Sequence, residues 1–393
     1  MRLKPIALAF AAIVLILSFV MGDYDHADSR LGTFYTQMLA ADFQGARKSL
    51  DEAIHLWPSN ARYYSWRAYC ISQMLPPQCP RNTQGLLSAD AQKAAHEAIA
   101  DYQRALELNT RDAVAHHNLA WLEHLVGDDT SAVADWRETT TLDPGNAVFH
   151  VSYGMFLEES GNAKEATEQY AAAIELSPAI LDSPFFARYH SRFPEAADAL
   201  VARITAKLED RLRREGGDPI LEARLGKLYL YQGELEQSAQ LLEDAAKKLP
   251  NLPLVWLNLG DVRASQGDGV AAMGCYEKAR VISRTLAGPY LRLGEVHLQR
   301  GEKSIAADEL RVAVQKWQRV NPLTASHNNR LYQGPPQRID DLLPTTLVWY
   351  VTPCEASRAW SALAVLFPGR EEYARRSHTC EELPSPHATS KSE

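Results

Sequence analysis

Four histidines, His116, His117, His124 and His150, fall on a short stretch of the chain. Imidazoles can hold zinc when acidic or thiol side chains complete the set. Here the acidic companion considered is Glu158, and the five cysteines contain no C-x-x-C or Cys/His pairing of metal-site spacing. A second candidate chemistry is phosphate binding. The segment "LNLGDVRASQGDGVAAMGCYEKA" (257–279) holds Gly260 and Gly267, and a glycine-rich phosphate loop uses such residues between a strand and a helix. Neither flank reads as a strand, and Ala272, Tyr276 and Ala279 follow at helical spacing. Ser-His-Asp combinations can be drawn anywhere among twelve histidines and carry no weight. The expectation is a protein with no metal, no cofactor and no catalytic constellation, whose His116 and His150 pack rather than react.

The elements that would position these residues follow from a period. Leu225-Gly226, Leu259-Gly260 and Leu293-Gly294 recur every 34 residues, as do Gly233, Gly267 and Gly301, and Ala245, Ala279 and Ala313. A second block keeps the period in Ala120 and Gly154, Gly127 and Gly161, Ala132 and Ala166, Trp136 and Tyr170, Pro144 and Pro178. Small residues at such offsets are the mark of a helix–turn–helix repeat. Gly260 lets two helix backbones approach, Gly267 supplies a turn at positive φ, and Pro144, Pro178 and Pro250 end the second helices.

On Trp256, Leu259-Gly260, Gly267, Ala272, Tyr276 and Ala279, and again on "YGMFLEESGNAKEATEQYAAAIELSP" (153–178), the chain resembles the tetratricopeptide repeat family. The resemblance implies an all-α, right-handed superhelical solenoid of about eight helical pairs, some degenerate, between Leu31 and Trp317. It also implies a concave groove lined by the first helix of each repeat. The family's groove positions fall here on His117, Asn118, Trp121 and His124, on Val151, Ser152, Met155 and Glu158, and on Arg224, Lys227 and Tyr231. They continue on Asn258 and Asp261, then Arg292 and Glu295. Some family members hold a peptide's terminal carboxylates with Lys, Asn and Arg at these positions. Arg224, Lys227, Asn258 and Arg292 could then form a positive ladder, or could pair with Asp261 and Glu295 across the groove. The groove around His117, Trp121 and Met155 is more apolar and suits an apolar helix or extended chain.

Departures from the period set the organisation. Residues 28–178 form a first repeat block with an insertion near 75–88. Residues 179–218 form a divergent repeat, where Pro184 and Pro194 break regular helix before the amphipathic run "EAADALVARITAKLEDRLRREGG". Residues 219–318 form a second block. The period vanishes over 319–382, read as an irregular crossing followed by a short C-terminal helical cap, with strand propensity in "TTLVWYVTP" (345–353). Residues 383–393 read as a disordered tail.

Residues 1–22, "MRLKPIALAFAAIVLILSFVMG", place Arg2 and Lys4 before an apolar or small run from Ile6 to Gly22. The run has no polar face, so it reads as a membrane-spanning signal-anchor or a cleaved signal peptide. The positive end would stay cytoplasmic and the repeats would cross. That predicts a single-pass bacterial inner-membrane protein with periplasmic repeats, or a secreted or periplasmic one if the segment is cleaved. In an oxidising compartment Cys70 could bridge Cys79 around Pro76-Pro77, and Cys354 could bridge Cys380, while Cys275 lies on a helix packing face.

A net charge of −8 with no basic run argues against nucleic acid as a partner. The leading expectation is a non-enzymatic, membrane-tethered scaffold that recruits a protein or peptide segment of an envelope complex. The alternatives are an accessory factor of surface-polysaccharide (O-antigen or exopolysaccharide) assembly and the recognition arm of a glycan-processing enzyme.

Overall fold

The structure is a computed structural model of the 393-residue chain, and it describes residues 33–34, 36–38, 42–75, 88–318 and 355–377. The N-terminal apolar run, the 76–87 insertion, the crossing at 319–354 and the tail from 378 lie outside the described residues. Within the described residues no strand occurs, and no helix is long and apolar enough to cross a membrane. The chain divides into two compact units, residues 1–143 and 144–393.

In the first unit, α1 (Phe43–Leu56), α2 (Ala61–Met74), α3 (Ala89–Leu108), α4 (Ala113–Val126) and α5 (Asp129–Leu142) follow one another. Their starts are written in the sequence. Asp42, Asn60, Ser88, Asp112 and Asp128 each accept a backbone N–H from the first turn through their side chains, which satisfies donors that a helix start leaves open. Gly127 ends α4 at φ +92°, where a residue with a Cβ would be strained. The core between α2, α3 and α4 is built from Ala91, Ala95, Ala98, Leu119, Leu122 and Ile71 around Tyr102. Small residues bring the helices close and leave one space that the tyrosine ring fills.

The second unit holds α6 (Ala147–Glu159), α7 (Ala163–Leu176), a 3-10 turn (Pro178–Asp182), α8 (Pro184–Arg192), α9 (Pro194–Glu215), α10 (Pro219–Gln232) and α11 (Leu235–Lys248). These are followed by α12 (Pro253–Ser265), α13 (Gly269–Ile282), α14 (Gly288–Gln299), α15 (Lys303–Gln318), α16 (Glu355–Leu366) and α17 (Glu371–Ser377). Pro184 and Pro194 were expected to break regular helix, but each occupies the first turn of one. The missing N–H is one that a helix start would leave unbonded, and the fixed φ is already helical. Pro178 and Pro250 fall just beyond the last residues of α7 and α11, as their ring demands.

Within this unit the period becomes contact. A Cβ on Gly260 would lie 2.3 Å from Tyr276 Cε1, and one on Gly154 would lie 2.4 Å from Tyr170 Cε1. In these two pairs a ring on the second helix thus rests on the bare backbone of the first, and Leu242 and Leu310 take that place against Gly226 and Gly294. Between α12, α13 and α14, Leu257, Ala272, Tyr276, Ala279, Leu293 and Val296 form one cluster. Next to α15, Ala359, Leu363 and Tyr373 of α16 and α17 join Leu291, Leu310 and Val314, so the two short C-terminal helices cover the apolar face of the last periodic pair.

Candidate functional site

The four histidines of interest separate into two uses. His116 Nε2 lies 3.3 Å from the Thr110 carbonyl, and in the second unit His150 Nε2 lies 3.0 Å from the Pro144 carbonyl. Tyr64 Oη donates to Pro58 O at 3.0 Å and Trp256 Nε1 to Pro250 O at 2.8 Å. Each donor sits six residues after its carbonyl. One position on the first helix of four repeats therefore tethers the incoming turn, whether the residue is Tyr, His or Trp. Packing was expected there. The hydrogen bond was not, although its signal is in the sequence: all four side chains are flat rings with a polar edge at one register.

The second ring nitrogens differ. His150 Nδ1 meets Gln169 Oε1 at 2.7 Å, whereas His116 Nδ1 meets Asp135 Oδ1 at 2.5 Å. A carbonyl on one side and a carboxylate on the other leave His116 two acceptors. Burial works against its charge, but the Asp135 contact, the Thr110 carbonyl and Glu138 raise its affinity for a proton. His124 Nδ1 pairs with Asp129 at 2.6 Å across the Gly127 turn. His117 is fully buried with Nδ1 3.2 Å from Asn118 Oδ1, and burial lowers its pKa to about 4, so it is neutral. Trp121 stands edge-on to Trp136 at 5.1 Å and to His124 at 6.1 Å. Among the described residues no three His, Cys, Asp or Glu side chains are placed to share a metal ion.

Sequence reasoning missed Glu123. It is 5% exposed, and its Oε2 has no hydrogen-bond partner. Burial first, then Asp135 and Asp128, raise its pKa to about 9. The signal was available: one period on, the same position is Leu157, a core residue.

In the second unit the charged groove positions are enclosed. Lys227, Asn258 and Arg292 are buried, Met155 likewise, and Arg224 and Tyr231 are half-buried. Lys227 Nζ pairs with Asp182 of the 3-10 turn at 2.8 Å, and Tyr231 meets Phe186 of α8 edge-on at 5.7 Å. Arg292 of α14 straddles the Asp261 carboxylate of α12 at 3.2 and 3.3 Å, and Tyr276 Oη donates to Asp261 at 2.9 Å. Burial works against that carboxylate, but Arg292 and Lys227 hold it below its ordinary range. Glu295 is gripped by Arg358 of α16 at 2.8 and 2.7 Å, and Glu158 by Arg192 of α8 at 2.8 Å. Each of these four carboxylates meets a cation from a segment further along the chain. The positive ladder is therefore largely neutralised from within. The pairing runs from one helix to the next, and Glu295 finds its cation on α16 rather than at Arg224 or Lys227.

Cys70 does not make the expected bridge, and the expected Cys354–Cys380 bridge falls on residues outside the described ones. Cys70 is a free thiol, fully buried, with Sγ 3.6 Å from Met38 Sδ. It points into the packing of α2, because an apolar neighbourhood suits a small sulfur side chain. Cys275 is also a free thiol, half-buried on α13. Cys79, Cys354 and Cys380 lie outside the described residues.

Residues 224–286, the stretch from α10 to α13, match the family model described as tetratricopeptide repeat. The small glutamine-rich tetratricopeptide repeat-containing protein 2 of Mycosarcoma maydis is 32% identical over 83 residues, 21% of this chain. The match spans 23% of that protein's length. Among solved structures, a crystal structure of MamA is similar at 22% identity, covering 44% of this chain and 92% of that one, with a TM-score of 0.33. A tetratricopeptide repeat protein from Parabacteroides merdae ATCC 43184 is similar at 15% identity, covering 79% and 100%, with a TM-score of 0.36.

Proposed function

We propose that the chain is a tetratricopeptide-repeat scaffold that captures a segment of a partner protein on the first helices of its repeats. One observation supports this reading most. Arg224, Asn258 and Arg292, with hydrogen-bonding heads, stand at one register of α10, α12 and α14, 34 residues apart. A row of that kind matches the repeat of an extended or helical peptide and reads it through several weak contacts. Arg292 holds Asp261, and the residues to test are Arg224 and Tyr231, which are half-buried. The apolar run at Ile6–Gly22 supports a tether that holds the repeats on the far side of a bacterial inner membrane. Tethering raises the local concentration of a membrane partner and lets modest affinity suffice.

The test is crosslinking in intact cells with capture of the full chain, wild type beside an Arg224→Ala/Tyr231→Ala double variant. A partner retained by the wild type and lost by the variant, with unchanged helical circular dichroism, supports the reading. Undiminished capture removes these residues from the site. An Arg292→Glu variant is unsuitable, because it sets a second carboxylate against Asp261.

A further inference from the structure

The two C-terminal helices are joined to the array unlike any others in their block. From α10 to α15, successive helices are connected by turns of two to five residues, so each must pack on the one before it. Between the end of α15 and the start of α16 stand residues 319–354, 36 in number. A chain of that length can reach as far as about 120 Å, whereas a helix the size of α16 is about 18 Å long. The covalent chain therefore does not dictate which α14–α15 face the cap must cover.

The seat itself is specific. Ala359 and Leu363 of α16 and Tyr373 of α17 pack on Leu291 of α14 and on Leu310 and Val314 of α15. Arg358 reaches both oxygens of the Glu295 carboxylate, at 2.8 and 2.7 Å. The Arg311 guanidinium lies 5.2 Å from the centre of the Phe367 ring. Within the cap, Tyr373 meets Trp360 at 5.3 Å and Phe367 at 6.2 Å. That is little on which to fold: α16 has 12 residues and α17 has 7, and isolated helices so short are marginal in water. The cap needs a host face, and the apolar face of α14 and α15 needs a cover.

Nothing in this seat distinguishes the chain's own cap from that of an identical chain. We infer that the α14–α15 face is an interaction surface for the α16–α17 pair of a second copy, so that two copies can exchange caps and form a closed dimer. The exchange is reciprocal: each copy gives one cap and receives one, and no open end remains to build a filament. Covalent attachment favours the chain's own cap by an effective concentration on the order of millimolar. The single chain therefore prevails when dilute, and the exchanged pair gains as copies are concentrated. The inference depends neither on the binding row of α10, α12 and α14 nor on the membrane tether.

The test inverts the charges at the seat. Glu295→Arg and Arg358→Glu each set like charges together in a chain that covers its own face. In a mixed pair that exchanges caps, both seats are matched again. Full-length copies, one of them tagged, are mixed at about 100 µM in detergent, cycled through mild urea and captured by the tag. If each restored seat shifts the balance about tenfold, the two together offset a millimolar effective concentration at about 10 µM. The mixture should then show about fivefold or more the co-capture of either variant mixed with itself. The Glu295→Arg/Arg358→Glu double variant, matched within one chain, should return to the wild-type level. Association through the apolar N-terminal run would contribute equally to every mixture. Co-capture in the mixture no higher than in the single-variant controls overturns the inference.

Hydrogen exchange on the wild type gives a second reading that does not depend on the variants folding. A cap that changes places must first leave its seat as one piece, so amides of α16 and α17 should exchange together and sooner than those of α12 and α13. Cap amides as protected as those of α12 and α13 overturn the inference as well. Neither measurement involves another protein, so failure here is distinct from failure to capture a partner.

Discussion

Replacing Gly260 by alanine tests the central contact of the repeat. The new Cβ would stand 2.3 and 2.5 Å from Cε1 and Cδ1 of Tyr276, so the ring must retreat by more than about 1 Å to restore ordinary contact. It has little room. Tyr276 is 2% exposed, wedged among Leu257, Ala272, Ala279 and Leu293, and its hydroxyl is tied to Asp261. Overpacking of this kind costs about 1–3 kcal/mol, and a lost hydrogen bond to a charged acceptor about 1.5–3 kcal/mol. Alanine returns roughly 0.5–1 kcal/mol of helix propensity. The expected balance is a loss of about 2–4 kcal/mol. Gly274 is the control: it lies in the same helix pair, mid-way along α13, and a Cβ there meets nothing within 4 Å. Alanine at 274 should stabilise by about 0.5–1 kcal/mol. Urea unfolding of both variants, with hydrogen exchange resolved over α12 and α13, reads the difference locally, which suits an array whose repeats couple to neighbours. Equal stability of the two variants would refute the close-approach argument and reopen another role for Gly260.

Two further outcomes follow from the buried charges and the buried thiol. Arg292→Ala should cost about 3 kcal/mol, because it strands the Asp261 carboxylate in a largely enclosed place. Asp261 titrates below its ordinary value, so its contribution is present above a pH near 3.8 and is lost as pH falls further. The acid branch of a stability–pH curve should therefore be shallower in the variant than in wild type. Burial raises the Cys70 pKa to about 12. Alkylating reagents at pH 8 should leave Cys70 unmodified in the folded chain and label it in urea, with no reductant needed; recovery of Cys70 only in a disulfide-linked peptide would contradict its place in the core.

The architecture was legible because it is local and repeated. A 34-residue offset, glycine at the periodic turns and proline after α5, α7 and α11 are decided within one helical pair, and φ values of +83° at Gly267 and +76° at Gly301 realise what the spacing implied. The prolines of the divergent repeat misled, because proline alone does not say whether a helix ends before it or begins on it. Surrounding residues decide: the Ser183 side chain accepts the Phe186 N–H, which marks a start. The chemistry of the charged face was less legible for a different reason. Its partners are separated by 31, 45 and 63 residues, in Asp261–Arg292, Asp182–Lys227 and Glu295–Arg358. Only the first pair lies inside the periodic blocks.

That separation changes what the charged row is for. Read one helix at a time, Arg224, Lys227 and Arg292 look like an anion clamp. Taken with the helices around them, Lys227 and Arg292 already hold carboxylates, and a partner's acidic group would have to displace Asp182 or Asp261 to reach them. Such an exchange desolvates one charge to release another and gains little. The same pairs tie α6 to α8, the 3-10 turn to α10, α12 to α14 and α14 to α16, a task that bare glycine contacts leave open because a side chain on a smooth backbone can slide. Glycine sets how close two helices lie, and the ion pairs set where along their length they stop. A binding row needs both. The proposed recognition through Arg224, Asn258 and Tyr231 would then rest on hydrogen-bonding heads and a ring rather than on net positive charge.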